Sequence, residues 1–274
     1  MATNDKELTP MQRQYRTIKE NNQDCILFFR LGDFYEMFDE DARVASAELD
    51  LTLTTRDRSK PKEEQTPMCG VPYHSVDAYI ARLVQKGYKV AICEQMQDPA
   101  TTKGLVERDI TRIVTPGTVT ESCMLEESRN NYYACLFGGE KFGLAFCDIS
   151  TGAFYATVCA DPQTAVSELG RFSPAEVLRF GKGVNTDIFD DCLLRRLNCC
   201  VNEGKAAQFD PDAAEDILQR HFGQDLSELG LANLPEAVLA CGTLLQTLKT
   251  LQKNDLAHIR TLEYYTTGRF MELD

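Results

Sequence analysis

The chain has 274 residues, 43% hydrophobic and 26% charged, a size and composition that suit about two ordinary globular domains and exclude disorder over its length. No run of about 18 apolar residues occurs, and Met1 to Pro10 is polar and acidic, so the sequence offers neither a membrane span nor a secretion signal and a cytoplasmic protein is expected. The net charge of -13 excludes a DNA binder that works by charge alone, because phosphate contacts need concentrated Lys and Arg.

Thr9-Pro10 is a helix start, with a hydroxyl cap and proline at the first position, and the helix is expected to reach Asn21. Cys25 to Leu31 is short and apolar and reads as a buried strand that Gly32 and Asp33 break. Beyond the break, Met37, Phe38, Ala42, Ala45 and Leu49 follow helical spacing. Residues 55 to 67 form a charged, proline-bounded loop. A second helix is expected from Ser75 to Lys86, with Val76, Ile80, Leu83 and Val84 on its apolar side and Gly87 as its stop, followed by a strand over Lys89 to Cys93. Alternating strands and helices make residues 1–115 an α/β domain.

Pro116 to Ser128 has no period and reads as a linker. Tyr132–Phe137, Phe142–Asp148 and Ala153–Cys159 are expected strands of a meander, and Glu176–Phe180 is a further strand. Asp161-Pro162 and Asp210-Pro211 repeat the capped helix start, and Ala237, Ala240, Cys241, Leu244, Leu245 and Leu248 line one side of a long helix from Leu234 to about Leu251. The eleven cysteines are odd in number and include no Cys-x-x-Cys pair, so they are read as reduced thiols. Cys123, Cys135, Cys147 and Cys159 recur every twelve residues, and core packing rather than metal binding is expected of them.

Phe34 and Glu36 sit at the end of the buried strand, inside Gly32-Asp33-Phe34-Tyr35-Glu36. Two readings stand: the pair begins a helix, or it is an exposed aromatic and an acid set on one side of an extended segment. The second requires Phe34 to stand before the regular helix. The basic residues Arg56, Arg58, Lys60 and Lys62 either track phosphates or are a solvated charged loop.

In these residues the chain resembles the MutS family of mismatch repair proteins, whose first domain carries a Phe-x-Glu motif in the same setting. The likeness continues in Pro67-Met68-Cys69-Gly70-Val71-Pro72-Tyr73-His74, Ala91-Ile92-Cys93-Glu94-Gln95, Asp98-Pro99-Ala100 and Val114-Thr115-Pro116-Gly117-Thr118. It is specific over about the first 120 residues and looser to the end. The resemblance implies a mixed-sheet mismatch-recognition domain at 1–115, a linker at 116–127, an α/β connector domain of ribonuclease H type at 128–252, and the start of a helical core or lever domain at 253–274. It makes Phe34 a wedge at a mispaired base and Glu36 its hydrogen-bonding partner, and Tyr73 and His74 fall in a block that approaches the DNA backbone, where packing is the alternative account of both; with Asp33, and with Arg56 and Arg58 of the charged loop, they are the residues expected near the backbone or groove. It implies mismatched duplex DNA and a MutL-type protein as partners, the latter through a connector that relays the ATPase state, and a homodimer in the full-length chain.

An aromatic ring can enter the minor groove and stack where the duplex kinks, and a mispair kinks more cheaply than matched DNA. A carboxyl among phosphates takes up a proton more readily and then donates a hydrogen bond. No Gly-x-x-x-x-Gly-Lys-Ser/Thr loop occurs, since Gly181-Lys182-Gly183 has the wrong spacing. ATP and Mg2+ are therefore expected only in an ATPase domain outside these residues, no metal or cofactor is expected here, and no enzymatic activity is expected of the chain itself. The rival readings for the second domain are a metal-dependent nuclease with Asp148 as a ligand, which needs several converging carboxylates, and a protein-interaction module.

Overall fold

The computed structural model describes residues 8–56, 61, 65–97, 104–121 and 129–267. Arg58, Lys60, Lys62, Cys123 and the Asp98-Pro99-Ala100 segment lie outside the described residues. The chain divides into two compact units, residues 1–115 and 116–274.

The first unit opens with α1 (Pro10–Glu20), capped as its sequence requires: Gln12 N–H donates to the Thr9 hydroxyl at 3.3 Å and the Gln12 side chain accepts from Thr9 N–H at 3.0 Å. There follow β1 (Cys25–Leu31), β2 (Phe34–Phe38), α2 (Asp39–Leu49), β3 (Thr54–Thr55), β4 (Pro67–Pro72), α3 (Val76–Gln85), β5 (Lys89–Gln95) and β6 (Arg108–Val114). The sheet runs β3-β4-β2-β1-β5-β6, with β1 and β5 parallel and every other pair antiparallel. One expectation is corrected. Met37 and Phe38 are not in the helix; they close β2, and α2 starts at Asp39. Both are buried in an inner strand, and an inner strand buried on both faces has the run of apolar residues that a helical period also fits.

The second unit is built on the expected meander, β7 (Tyr133–Gly138), β8 (Phe142–Asp148) and β9 (Ala153–Cys159). To one side β10 (Glu176–Gly181) pairs parallel with β7 and β11 (Cys200–Glu203) with β10; on the other, β12 (Glu263–Tyr264) pairs parallel with β9. Four helices, α4 (Pro162–Phe172), α5 (Asp187–Asp190), α6 (Pro211–Phe222) and α7 (Pro235–Gln252), cover both faces, and a π-helical turn over Asp191–Arg196 extends α5. Cys135 and Cys147 lie in one core with Leu218 and Leu244, whereas Cys159 lies in the opposite one with Leu169 and Phe189. The twelve-residue spacing therefore sends these thiols to different faces of the sheet, as packing groups. Leu256 and Ile259 join the first of these cores, and β12 joins the sheet, so the segment after α7 packs with the second unit. Among the described residues no helix is long and apolar enough to cross a membrane.

Candidate nucleic-acid interface

The strands β1 and β2 are joined by two residues, Gly32 and Asp33, with Leu31 opposite Phe34. Gly32 takes φ 59°, which the first position of so tight a hairpin turn demands. The main-chain carbonyl of Asp33 accepts from Tyr73 N–H at 2.9 Å, tying the turn to the residue that follows β4. Local sequence thus fixes where β2 begins and brings Phe34 to the first residue beyond the turn.

Alternation along β2 puts Phe34, Glu36 and Phe38 on one face of the sheet. The Tyr15 ring from α1 packs edge-on against Phe38 at 4.9 Å and against Phe29 at 5.4 Å, so α1 covers the Phe38 end of this face. The Phe34 end is open: Phe34 is 47% exposed, against 6% for Phe38. Glu36, between them, is buried. Its strand partners are Phe29 on β1 and Gly70 on β4. Arg56, just beyond β3, donates from Nη2 to Glu36 Oε1. The other oxygen, Oε2, is buried and has no hydrogen-bond partner among the described residues. A buried carboxylate oxygen left without a donor is uncommon and costly, and it sits two residues along the same face from an exposed aromatic ring.

The opposite face holds the supporting cluster. Arg30 lies 3.9 Å over the Tyr73 ring and 5.4 Å from the Tyr35 ring, and Arg30 Nη1 is 3.8 Å from Glu94 Oε2. Tyr35 donates its hydroxyl to Glu94. Burial, then the neighbouring Glu94 carboxylate, pushes the Tyr35 phenol above its ordinary range, so it remains a donor at neutral pH. This cluster joins β1, β2, β5 and the turn after β4, and it holds the mouth of the hairpin.

Of the residues singled out in the sequence, the structure groups Asp33, Phe34, Glu36, Arg56 and Tyr73 around the β1–β2 hairpin. Asp33 is exposed in the turn, Tyr73 is 44% exposed, and His74 is exposed with its ring 5.9 Å from that of Tyr73. Arg56 faces Glu36. Arg58 lies outside the described residues. Sequence reasoning missed Arg30, Gly70 and Glu94; the signal for Arg30 was a lone cation inside an otherwise apolar strand.

In the second unit, Asp148 is 1% exposed and both its oxygens are taken. Oδ1 accepts from Ser150 N–H at 2.9 Å and the Ser150 hydroxyl at 2.7 Å; Oδ2 accepts from Asn130 Nδ2 at 2.8 Å and Asn131 N–H at 3.2 Å. It is a turn-forming aspartate that closes β8. Among the described residues no group of three His, Cys, Asp or Glu side chains is placed to hold a metal ion.

Comparison with known families gives residues 9–123 as a match to MutS domain I and residues 131–260 as a match to MutS domain II. The chain belongs to the MutS family. It is 46% identical to the DNA mismatch repair protein MutS of Ruminiclostridium cellulolyticum over 97% of its own length, and 44% identical to those of Syntrophomonas wolfei, over 98%, and Acetivibrio thermocellus, over 97%. It spans 31–32% of the length of these curated relatives. The hairpin with Phe34 and Glu36 lies within MutS domain I, and Asp148 within MutS domain II.

Proposed function

We propose that this chain reads mispaired duplex DNA for mismatch repair, with the Phe34 ring entering the minor groove at the mispair and Glu36 bonding to the displaced base. The observation that carries this reading is the pairing, on one face of β2, of an exposed aromatic with a buried carboxylate oxygen that has no hydrogen-bond partner among the described residues. A ring inserted at a base step exacts an unstacking cost of a few kcal/mol, which is lower where pairing is already faulty. The base so displaced offers the polar edge that Oε2 lacks. Selectivity then follows deformability and serves many different mispairs, for which no single donor and acceptor pattern exists.

In the same reading Asp33, Tyr73 and His74 lie beside the DNA backbone, and Arg58 joins them. Residues 131–260, as MutS domain II, relay the state of an ATPase domain and contact a MutL-type partner, and the longer protein works as a cytoplasmic homodimer. ATP and Mg2+ are assigned to no residue of this chain. The family membership supports these assignments, and the occupied oxygens of Asp148 argue against the nuclease alternative.

The test is fluorescence anisotropy on a single-mismatch duplex and its matched control at low salt, with the 274 residues alone and joined to the remaining length of the Ruminiclostridium cellulolyticum relative. Phe34→Ala is expected to abolish the preference for the mismatch. Because the ring is exposed, the thermal unfolding free energy should change by no more than about 0.5 kcal/mol. Discrimination that survives the substitution rules Phe34 out as the wedge.

A further inference from the structure

Resting on the reading of mispaired DNA, we infer that Arg56 is a specificity-determining positioning residue, which holds Glu36 Oε1 so that Oε2 is the oxygen left to meet a base. The side chain comes from two strands away. The sheet order is β3-β4-β2, with Thr54 and Thr55 of β3 opposite Met68 and Pro67 of β4, and Arg56 follows directly. Its guanidinium reaches Glu36 across β4 where the strand partner of Glu36 is Gly70, which has no side chain to stand in the way. The Arg56 side chain is 49% exposed while that of Glu36 is 10% exposed.

The need for such a residue follows from the side chain itself. The last torsion of glutamate, between sp³ and sp² carbons, is broad and two-fold, so strand geometry alone does not fix the carboxylate plane. A charge-assisted bond to one oxygen does fix it. It also sets a positive charge against the carboxylate, which offsets part of its repulsion from DNA phosphates. One oxygen is thereby anchored and partly neutralised, and the other, buried two residues along the same face from the exposed Phe34, is held in a fixed direction without a hydrogen-bond partner among the described residues.

A phosphate contact makes the opposite prediction from a positioning role. A cation that meets only the backbone adds affinity for every duplex and one increment of salt dependence. A cation that acts through Glu36 changes the ratio between mismatched and matched binding, and only while Glu36 is present.

The experiment is a double-mutant cycle on the same two duplexes with Arg56→Ala, Glu36→Ala and both together, plus Arg56→Lys, each measured at two salt concentrations. Arg56→Ala is expected to lower the mismatch preference roughly threefold or more, the scale of coupling between contacting residues, and to have no further effect once Glu36 is alanine. Arg56→Lys should restore part of the ratio. Equal losses on both duplexes, additive with Glu36→Ala and accompanied by a shallower salt dependence, would show a phosphate contact and overturn the inference. The two levels separate cleanly. If Phe34→Ala leaves the preference intact, the underlying reading of mispairs fails; if Phe34→Ala abolishes it while the cycle shows no coupling, only the role of Arg56 fails.

Discussion

Gly70, the β4 partner of Glu36, sits tight against the β2 backbone. A Cβ built on Gly70 would stand 3.2 Å from the Tyr35 carbonyl oxygen and 3.5 Å from Glu36 Cγ. The first contact is against backbone locked in the β2–β4 ladder, which cannot swing aside as a side-chain end can. Gly70→Ala is therefore expected to cost about 1 kcal/mol of stability, the lower end for overpacking a well-filled site. Any shift of the β2 backbone at Tyr35 carries the neighbouring Glu36 with it, so mismatch preference should weaken more than matched binding. Urea unfolding and the two-duplex titration measure the two effects separately. A variant as stable and as discriminating as the parent would show that the ladder yields, and that the close approach at Gly70 has no part in placing the carboxylate.

Two helices of the first unit, α1 and α2, are tied to β1 through one acid. Asp41, 6% exposed in the first turn of α2, accepts from Leu27 N–H of β1 at 2.9 Å and from the Tyr15 hydroxyl of α1 at 3.3 Å, and pairs with Lys19 of α1 at 2.8 Å. Asp41→Ala leaves the Leu27 N–H buried without its acceptor, an expected loss of about 1–3 kcal/mol. Hydrogen exchange should then speed at α1 and at Leu27 before it speeds at β5, and unchanged exchange at Leu27 would rule out the anchoring role. The sequence announced α1, β1, α3 and β5, because caps, a glycine stop and short apolar runs are local signals. It did not announce β4, which begins and ends in proline, or β6, whose Arg-Asp-Ile-Thr-Arg-Ile-Val mixes polar and apolar residues without a clean alternation. The candidate site divides in the same way. Phe34 and Glu36 stand two residues apart in a readable motif, whereas the pairing of Glu36 with Arg56 spans 20 positions and two strand crossings, and the Arg30, Tyr73 and Glu94 cluster comes from three separate segments. Contacts of that kind are made by register, which no local pattern states.

Across the whole molecule, each unit builds its own sheet and core, and both place cysteine where a small apolar group fits. Of the eleven cysteines, ten are described, all are free thiols, and all but Cys200 are buried. Burial pushes the Cys69 thiol up to about 11 and those of Cys25, Cys93 and Cys159 up to about 12, and raises those of Cys135, Cys147, Cys199 and Cys241 as well. Only the thiolate attacks a disulfide reagent, so these eight should be silent at pH 8 in the folded chain, both for lack of access and for lack of charge. The same shifts carry a pH dependence whose sign follows from linkage. A thiol near its ordinary value of 9.0 when unfolded, and higher when folded, loses its proton first in the unfolded state. The stability it contributes is thus whole below pH 9.0 and is lost as pH rises through the folded value, which for Cys25 is about 12. Labelling with an aromatic disulfide at pH 8 should modify Cys200 rapidly in the native chain and the eight buried thiols only as urea unfolds the unit that holds each, and the urea midpoint should fall steadily between about pH 9 and pH 11. Rapid native labelling of Cys25 or Cys93, which stand at the two ends of the β1–β5 ladder, would mean that the strand leading into the Phe34 hairpin opens far more readily than its burial implies.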